Sequence, residues 1–598
     1  MNKIAIFLIF LFFLPVSVQG QAVGIQVLPT DAATYPLVID VRDFGAMGNG
    51  VTDDTAEIQA ALSSAIDGDI VFFPGGVYII SSVFAAITEN INISGTGATL
   101  DASARLTDNV FTFNSVTDCT VSGLTYAGEE TLAAFSGAVE ADVFGFIRLT
   151  SCTNVRVENI KVSKCGSGIM LNSCTDCIVD DVSFTGVFTT EKAGDNFASA
   201  VRIYSGTGNK VGNVYAVNSG SCVTGVQTIN DTIISHCSGT GFRDNAIYIS
   251  SGLNCQVIGC NFWGLDSECD SGVKARGSRH IVSNNYIVGS DNGITITGMG
   301  DTPDAYGANG HGTVCQGNVI SACTRNGVRV YSVDGLFCRD VSIIGNTFND
   351  MVNPGGYASV LAYVERGLII HSNIINGNTS DYAIVAAGTG TDIAIAPDIS
   401  IVNNILTACS GDGIRAVDIT KSVISFNIFS AITSGHAIDI RNVTDSTFIG
   451  NSYPESNKAV IYDSATYANY RNVYTFNHGE LEVAAARQIT NRLYANYNTS
   501  ATQMTLGATD ATPSVEGGGV FITGAAGALD VTDFDDPVRG QVITILGADG
   551  GNTTVKHNVA LINLVGAADW SSANGASLIL WYDGTDWCEI SRSAPTMA

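Results

Sequence analysis

Residues 399–430 read ISIVNNILTACSGDGIRAVDITKSVISFNIFS, which is one repeating unit and the start of the next. VNNILT, carrying Asn404, is answered by SFNIFS, carrying Asn427, and between them GIRAVD alternates apolar and polar residues. Each piece has the two-residue period of a short strand. Working outward, an Asn recurs in VENIKV (Asn159), IGCNFW (Asn261), SNNYIV (Asn285), CQGNVI (Asn318), IIGNTF (Asn346), HSNIIN (Asn373) and FIGNSY (Asn451). Many steps are about 22 to 28 residues, a period that means stacked coils. Longer steps, such as Asn285 to Asn318, imply inserted loops. Each coil adds about 4.8 Å to a parallel sheet, so an Asn at one turn of every coil can hydrogen-bond its neighbours along the axis. An antiparallel sandwich would not return one residue type at this period. The expected fold is all-β, a right-handed parallel β-helix solenoid over about residues 70–475.

A second element recurs as AVRIYS, AIYISS, GVKARG, GITITG, GVRVYS, GIRAVD and AIDIRN, in which residues alternate between interior and exterior. Of the 15 cysteines, eight fall into matching slots of the repeat, Cys152 with Cys174, Cys119 with Cys177, Cys237 with Cys260 and Cys315 with Cys338. That placement suits small buried hydrophobes better than bridges.

Upstream, residues 38–82 read VIDVRDFGAMGNGVTDDTAEIQAALSSAIDGDIVFFPGGVYIISS. Physically this is strand, Gly-rich loop, helix, turn and strand. Thr52 is the expected N-cap, and Ile58, Ala61, Leu62 and Ala65 make one apolar face. A short amphipathic helix here would cap the open end of the solenoid. The residues Asp43-Phe44-Gly45-Ala46, Gly48-Asn49-Gly50, Thr52-Asp53-Asp54-Thr55 and Ile58-Gln59-Ala60-Ala61 resemble the N-terminal signature of the pectate lyase superfamily. That group includes polygalacturonases, rhamnogalacturonases and phage tailspikes. The resemblance implies the β-helix and carries no catalytic residue.

Residues 1–20 have the form of a signal peptide, with Lys3 ahead of an apolar run and small residues near Gly20. The solenoid domain is then 21–475, in a secreted protein without a membrane span. After Asn477 the Asn series stops, and residues 480–598 read as a separate small β-domain for attachment or oligomerisation. Gly551–His557 and Tyr582–Trp587 resemble C-terminal modules of phage tail proteins, which implies a homotrimer by analogy.

Lys and Arg total 28 against 56 Asp and Glu, a net charge of −28. Such a surface repels nucleic acid and anionic membranes. It would repel an acidic glycan too, unless the basic residues gather. In register, the exterior positions give Arg202 and Tyr204, Tyr248, Lys274 and Arg276, Thr295 and Thr297, Arg329 and Tyr331, then Arg415 and Arg441. A basic stripe with tyrosines suits an acidic polysaccharide lying along the axis. The alternative is a solvated face whose cations neutralise scattered carboxylates.

Asp244, Asp270 and Asp291 each stand just ahead of one of these strands and should stack on successive coils. Two carboxylates about 4.8 Å apart repel by roughly 3.5 kcal/mol at an effective dielectric of 20. Three answers are open. A shared proton would make an acid/base pair for glycoside hydrolysis. A Ca²⁺ could bind Asp270 with Asp266 and Glu268. Lys274 and Arg276 could neutralise the pair and serve β-elimination. Purely structural Asp residues capping turns remain a fourth reading.

Polygalacturonases carry Asn-Thr-Asp, Asp-Asp, Gly-His-Gly and Arg-Ile-Lys. Gly310-His311-Gly312 and Gly327-Val328-Arg329-Val330 resemble the last two, but Cys269-Asp270-Ser271 and Asp291-Asn292 depart from the first two, and Tyr331 replaces the Lys. Polysaccharide lyases of this fold use Lys and Arg on adjacent coils, and Ser271–Arg276 is similar in kind. The expected catalytic set is Asp244, Asp270, Lys274, Arg276, Asp291 and Arg329. Arg202, Tyr204, Tyr248, Tyr331 and His311 would bind substrate, and residues 299–311 would wall the groove. The expected activity is β-elimination on a uronate-containing polysaccharide, with polygalacturonase-type hydrolysis and tailspike-like adhesion as alternatives.

Overall fold

The computed structural model describes residues 36–593 apart from internal stretches, the longest being 130–144, 187–198 and 299–310. Parallel pairing begins where Val38–Asp40 lies beside Ile70–Phe72 and runs through one 42-stranded system. A coil is three short strands, for example Ser271–Arg276, Ile281–Ser283 and Tyr286–Val288. The next coil stacks Asn292–Thr297, Val314–Gln316 and Val319–Ser321 on them in register. Alternation sends Val273, Ala275, Val282 and Ile287 into a fully buried core. The expected parallel β-helix is present.

The Asn ladder sits at the turn between the second and third strands, where Asn285, Asn318, Asn346, Asn373, Asn404, Asn427 and Asn451 are buried. Asn346 illustrates the bonding. Its Nδ2 donates to Cys315 O at 3.1 Å and to Asn373 Oδ1 at 3.0 Å. Its own Oδ1 accepts from the N–H and Nδ2 of Asn318 at 3.0 and 2.9 Å. Every polar atom of a buried amide is thereby satisfied. The residue before the slot turns the chain in the left-handed region, with φ of 62° at Gly345, 56° at Asn403 and 55° at Phe426. Two members of the sequence series are displaced by one residue. Asn159 occupies the left-handed position itself, with φ of 52°. Asn261 follows the slot, which Cys260 fills while donating its N–H to Asn285 Oδ1 at 2.9 Å.

All the cysteines are free thiols, and every one except Cys588 is buried. Burial pushes Cys255 and Cys315 up to about 12, so neither offers a thiolate at neutral pH.

The N-terminal helix spans Thr55–Ser64 and buries Ile58, Ala61 and Leu62. Its N-cap is Asp54 rather than Thr52. The reason is local. Asn49 Oδ1 accepts from the N–H groups of Val51 and Thr52, both at 2.9 Å, and holds Thr52 in the preceding turn. Asp54 turns back to accept from Met47 N at 2.6 Å and Gly48 N at 3.2 Å. Asp54 therefore ties the Gly-rich loop to the helix, while Asp53 accepts from Thr55 and Ser81.

The expected signal peptide, residues 1–20, lies outside the described residues. Among those described, no helix is long and apolar enough to cross a membrane. At the other end, Val473–Thr475 pairs in parallel with Arg492–Tyr494, so coil pairing passes residue 475. Beyond Met504 are sheets of six and three strands, with a separate core that includes Phe521, Phe534, Trp570 and Trp587. Parallel pairing continues there although the Asn series has stopped. Val520 still pairs in parallel with Thr544 and Leu529 with Thr553, before antiparallel strands Val542–Leu546, Ser577–Tyr582 and Trp587–Ser593 finish the sheet. The Asn signal stops earlier than the coiling does.

Candidate functional site

The first strand of each coil stacks its outward residues into columns. Tyr248, Lys274, Thr295 and Arg329 are in register, and the column continues through Leu361, Val385, Arg415 and Asp439. Two residues further along, Arg276, Thr297 and Tyr331 form a second column, although Thr297, like Thr295 of the first, is buried and not at the exterior as expected. Three residues upstream of the first, Asn245, Ser271, Asn292 and Asn326 form a third. Asp244, Asp270, Asp291 and Arg325 precede these four, so the carboxylates stack as the spacing predicts.

The charges of Asp270 and Asp291 are each answered by a neighbouring side chain. Lys274 Nζ lies 2.8 Å from Asp270 Oδ2, with side-chain exposures of 14% and 23%. Asp291 accepts from Thr324 Oγ1 at 2.6 Å and has Arg325 at 3.3 Å. Arg325 escaped the sequence reading, although it stands one coil after Asp291 in the same slot. Arg276 was expected to neutralise the Asp stack. Its guanidinium instead lies over the Tyr248 ring at 5.3 Å, and Arg329 lies over Tyr331 at 3.9 Å. Each tyrosine thus presents a face to an arginine of its own site.

The floor is held rigidly. Ser271 and Thr295 share a hydroxyl bond at 2.7 Å. Asn326 Nδ2 donates to Asn292 Oδ1 at 2.9 Å, and Asn292 Nδ2 to Asp270 O at 2.9 Å. Behind the strand, His280 is fully buried and its pKa is lowered to about 4 by burial. Its Nδ1 accepts from Cys255 N at 3.3 Å, so Nε2 carries the proton and donates to Arg276 O at 2.9 Å. The Asn, Ser and Thr residues and His280 went unnoticed because sequence reading counted charges. The recurring Asn or Ser three residues before each exterior position was the available signal.

Several expected participants are not part of this arrangement. Arg202 is in register with Met170 and Thr224 but only 1% exposed, so it is no groove residue. Tyr204 leaves the column because the register shifts between Ile203 and Gly206. His311 lies at the turn leading to Val314–Gln316, where Nδ1 is 2.9 Å from Asp340 Oδ2. It belongs to another edge of the coil, since its carbonyl accepts from Arg279 N. Asp266 and Glu268, offered as Ca²⁺ ligands, and residues 299–310 of the wall lie outside the described residues. Asp270 is already engaged by an ammonium, and no group of three metal-ligating side chains occurs among the described residues.

Chemically, the columns offer Lys274 and Arg329 two coils apart, about 10 Å, at a carboxylate-bearing edge. Anionic groups can be paired there.

Residues 38–295 match the model of a family described as rhamnogalacturonase A/epimerase, pectate lyase-like. The chain is 23% identical over 435 residues to the preneck appendage protein of Bacillus phage PZA, a match covering 68% of this chain and 44% of that one. The chain therefore spans less than half the length of that relative. A shorter match, 42% identical over 66 residues, is to a mannuronan C5-epimerase of Azotobacter vinelandii, covering 10% of this chain and 7% of that one. Among solved structures, the tailspike protein of E. coli bacteriophage HK620, in complex with pentasaccharide, aligns at TM-score 0.43 and 15% identity over 69% of this chain and 77% of that one.

Proposed function

We propose that the columned face of this parallel β-helix, whose residues 38–295 match a pectate-lyase-like family model, binds a uronate-containing extracellular polysaccharide and cleaves it by β-elimination. The observation that carries this reading is the Lys274–Asp270 pair, set between Arg276 and Arg329 on an otherwise acidic protein.

The roles divide by chemistry. Arg276 and Arg329 stay protonated, so they neutralise uronate carboxylates and acidify the proton at C5. Lys274 passes a proton to Asp270, and the free amine takes the C5 proton. The electron pair forms the C4–C5 double bond as the C4–O4 bond breaks, and Asp270 returns its proton to O4. In water the first transfer is uphill by about six pK units. A sugar chain covering the pair would desolvate both ions and shrink that gap.

A second reading rests on the stacked carboxylates, since Asp270 and Asp291 on adjacent coils could serve hydrolysis. A screen of the full chain on alginate, pectate and exopolysaccharide uronates separates these. Elimination produces an unsaturated uronate that absorbs in the near ultraviolet. Hydrolysis produces reducing ends without that absorbance. An adhesin binds and leaves chain length unchanged, and either of the last two results overturns the elimination reading.

A further inference from the structure

The six-stranded sheet that begins at Met504 has two faces of different character. One carries Phe521, Ile543, Ile545, Leu578, Leu580 and Trp587, all buried in the core of this region. The other is built from the alternate residues. Val520, Thr544 and Ile579 stand in register across three strands, and Val542, Trp581 and Cys588 form a second row. None of these six is charged. Val520, Val542 and Trp581, with Ile590 at the register shift of the last strand, are between 41% and 58% exposed.

The sequence of these strands is that of a sheet covered on both sides. An antiparallel sheet with one wet face alternates apolar and polar residues, whereas strands buried on both faces read as nearly unbroken apolar runs. VITIL at 542–546 and LILWY at 578–582 are such runs. The last strand, Trp587–Ser593, holds two charged residues, Glu589 and Arg592. Both lie in register with the buried Leu580 and Leu578 of the inner face. They bind each other, Glu589 accepts from Val565 N at 2.9 Å, and Arg592 donates to Ala568 O at 3.1 Å.

Charge and size limit what covers the outer face. Residues 504–598 hold eleven acidic residues against three basic ones, so two copies of this region repel wherever charged surfaces meet. The outer face is where they can approach without that repulsion. A face without charge is also complementary to itself, as contact between identical subunits requires. Four strands about 4.8 Å apart, each with five residues of about 3.4 Å, give a face of about 300 Å². That suits the apolar centre of a subunit contact, whose full extent is about 800 Å² per partner with its polar rim.

We infer that the outer face of this sheet, centred on Val542 and Trp581, packs against the same face of another copy of the chain. The inference does not depend on how, or whether, the Lys274 site cleaves its ligand.

The test uses the full chain, its mass in solution by light scattering, and the reaction of Cys588 with an aromatic disulfide reagent. Cys588 is the one cysteine that is not buried, and it stands beside Trp581 on the outer face, so its rate reports what covers that face. The unaltered chain should be oligomeric, with Cys588 reacting slowly. Trp581→Glu and Val542→Glu should each give monomers in which Cys588 reacts about tenfold faster or more. A carboxylate added nearby disfavours the thiolate and by itself slows the reaction, so a faster one reads uncovering. Both side chains are exposed, and either variant leaves the inner core of the sheet untouched. Val51→Glu places the same charge on a residue outside this region that is 85% exposed, and should change neither readout. A monomeric unaltered chain, or a mass and a Cys588 rate unchanged in both sheet variants, overturns the contact.

Discussion

Lys274 Nζ sits 2.8 Å from Asp270 Oδ2, four residues back on the same coil. The pair can be read as a proton-exchanging unit or as a simple charge clamp, and Lys274→Arg separates the two. Arginine keeps the positive charge and cannot give up its proton. Glycan binding should survive in this variant, while turnover on the uronate substrate should fall about a hundredfold or more. Asp270→Asn should cost a comparable factor. Full activity in Lys274→Arg would remove the amine from the chemistry.

Acid stability should carry the signature of His280. Burial lowers its pKa from 6.5 to about 4. The unfolded chain therefore binds the proton first, and its gain grows as pH falls from about 6.5 to about 4. Stability contributed by neutral His280 is complete above pH 6.5 and is lost through that window, by about 3 kcal/mol in all. Asn209, in the corresponding slot, accepts from Cys177 N at 3.0 Å with an amide that does not titrate. His280→Asn should accordingly flatten this part of the pH profile, measured by denaturant midpoints between pH 4 and 7. An unchanged slope would assign the acid sensitivity to other groups.

The fold was legible because a ladder imposes one residue type at one turn. Asn285 to Asn451 could be aligned by eye, and the columns on the first strand followed from their spacing. The site was legible in register but not in exposure. Arg202 reads like Lys274, yet it is buried, and burial of an exterior position is not written in the strand itself. The pairing of Asp412 and Asp439 through Arg415 was missed for a related reason. The sequence marks Arg415 and Arg441 as exterior, but which carboxylates meet them depends on contacts made across two adjacent coils.

The ladder should be stabilising in proportion to the bonds it satisfies. Asn373→Ala removes the acceptor used by both the N–H and Nδ2 of Asn346 and leaves Asn404 Oδ1 without one donor. Buried donors lose their partners with no route to water, so the loss should be about 2–4 kcal/mol. Equilibrium unfolding would measure it. A change below about 0.5 kcal/mol would mean that water or a relaxed backbone replaces the bonds.

Oligomeric state bears on the C-terminal region. The sheets beyond Met504 have a core separate from that of the solenoid. A chain ending at residue 500 should therefore retain the β-helix and its circular dichroism. If this region assembles the protein, as proposed here by analogy with tail proteins, the full chain should be trimeric and the shortened chain monomeric by light scattering. Equal masses per particle in solution would remove the assembly role.

Phe426 offers a gain rather than a loss. It holds φ of 55° in the position filled by Asn403 one coil earlier and Gly450 one coil later. A left-handed conformation costs an ordinary side chain roughly 1–2 kcal/mol, and asparagine tolerates it better. Phe426 is 56% exposed, so little burial is forfeited when its ring is removed. Its N–H donates to Ile449 O at 2.9 Å, a bond that any residue other than proline preserves. Phe426→Asn should therefore raise stability by about 0.5–1 kcal/mol and leave glycan binding unchanged, because this turn lies away from the columned strands. A lower melting temperature would show that the exposed ring contributes more by packing against Gly450, which its edge approaches closely, than its backbone costs.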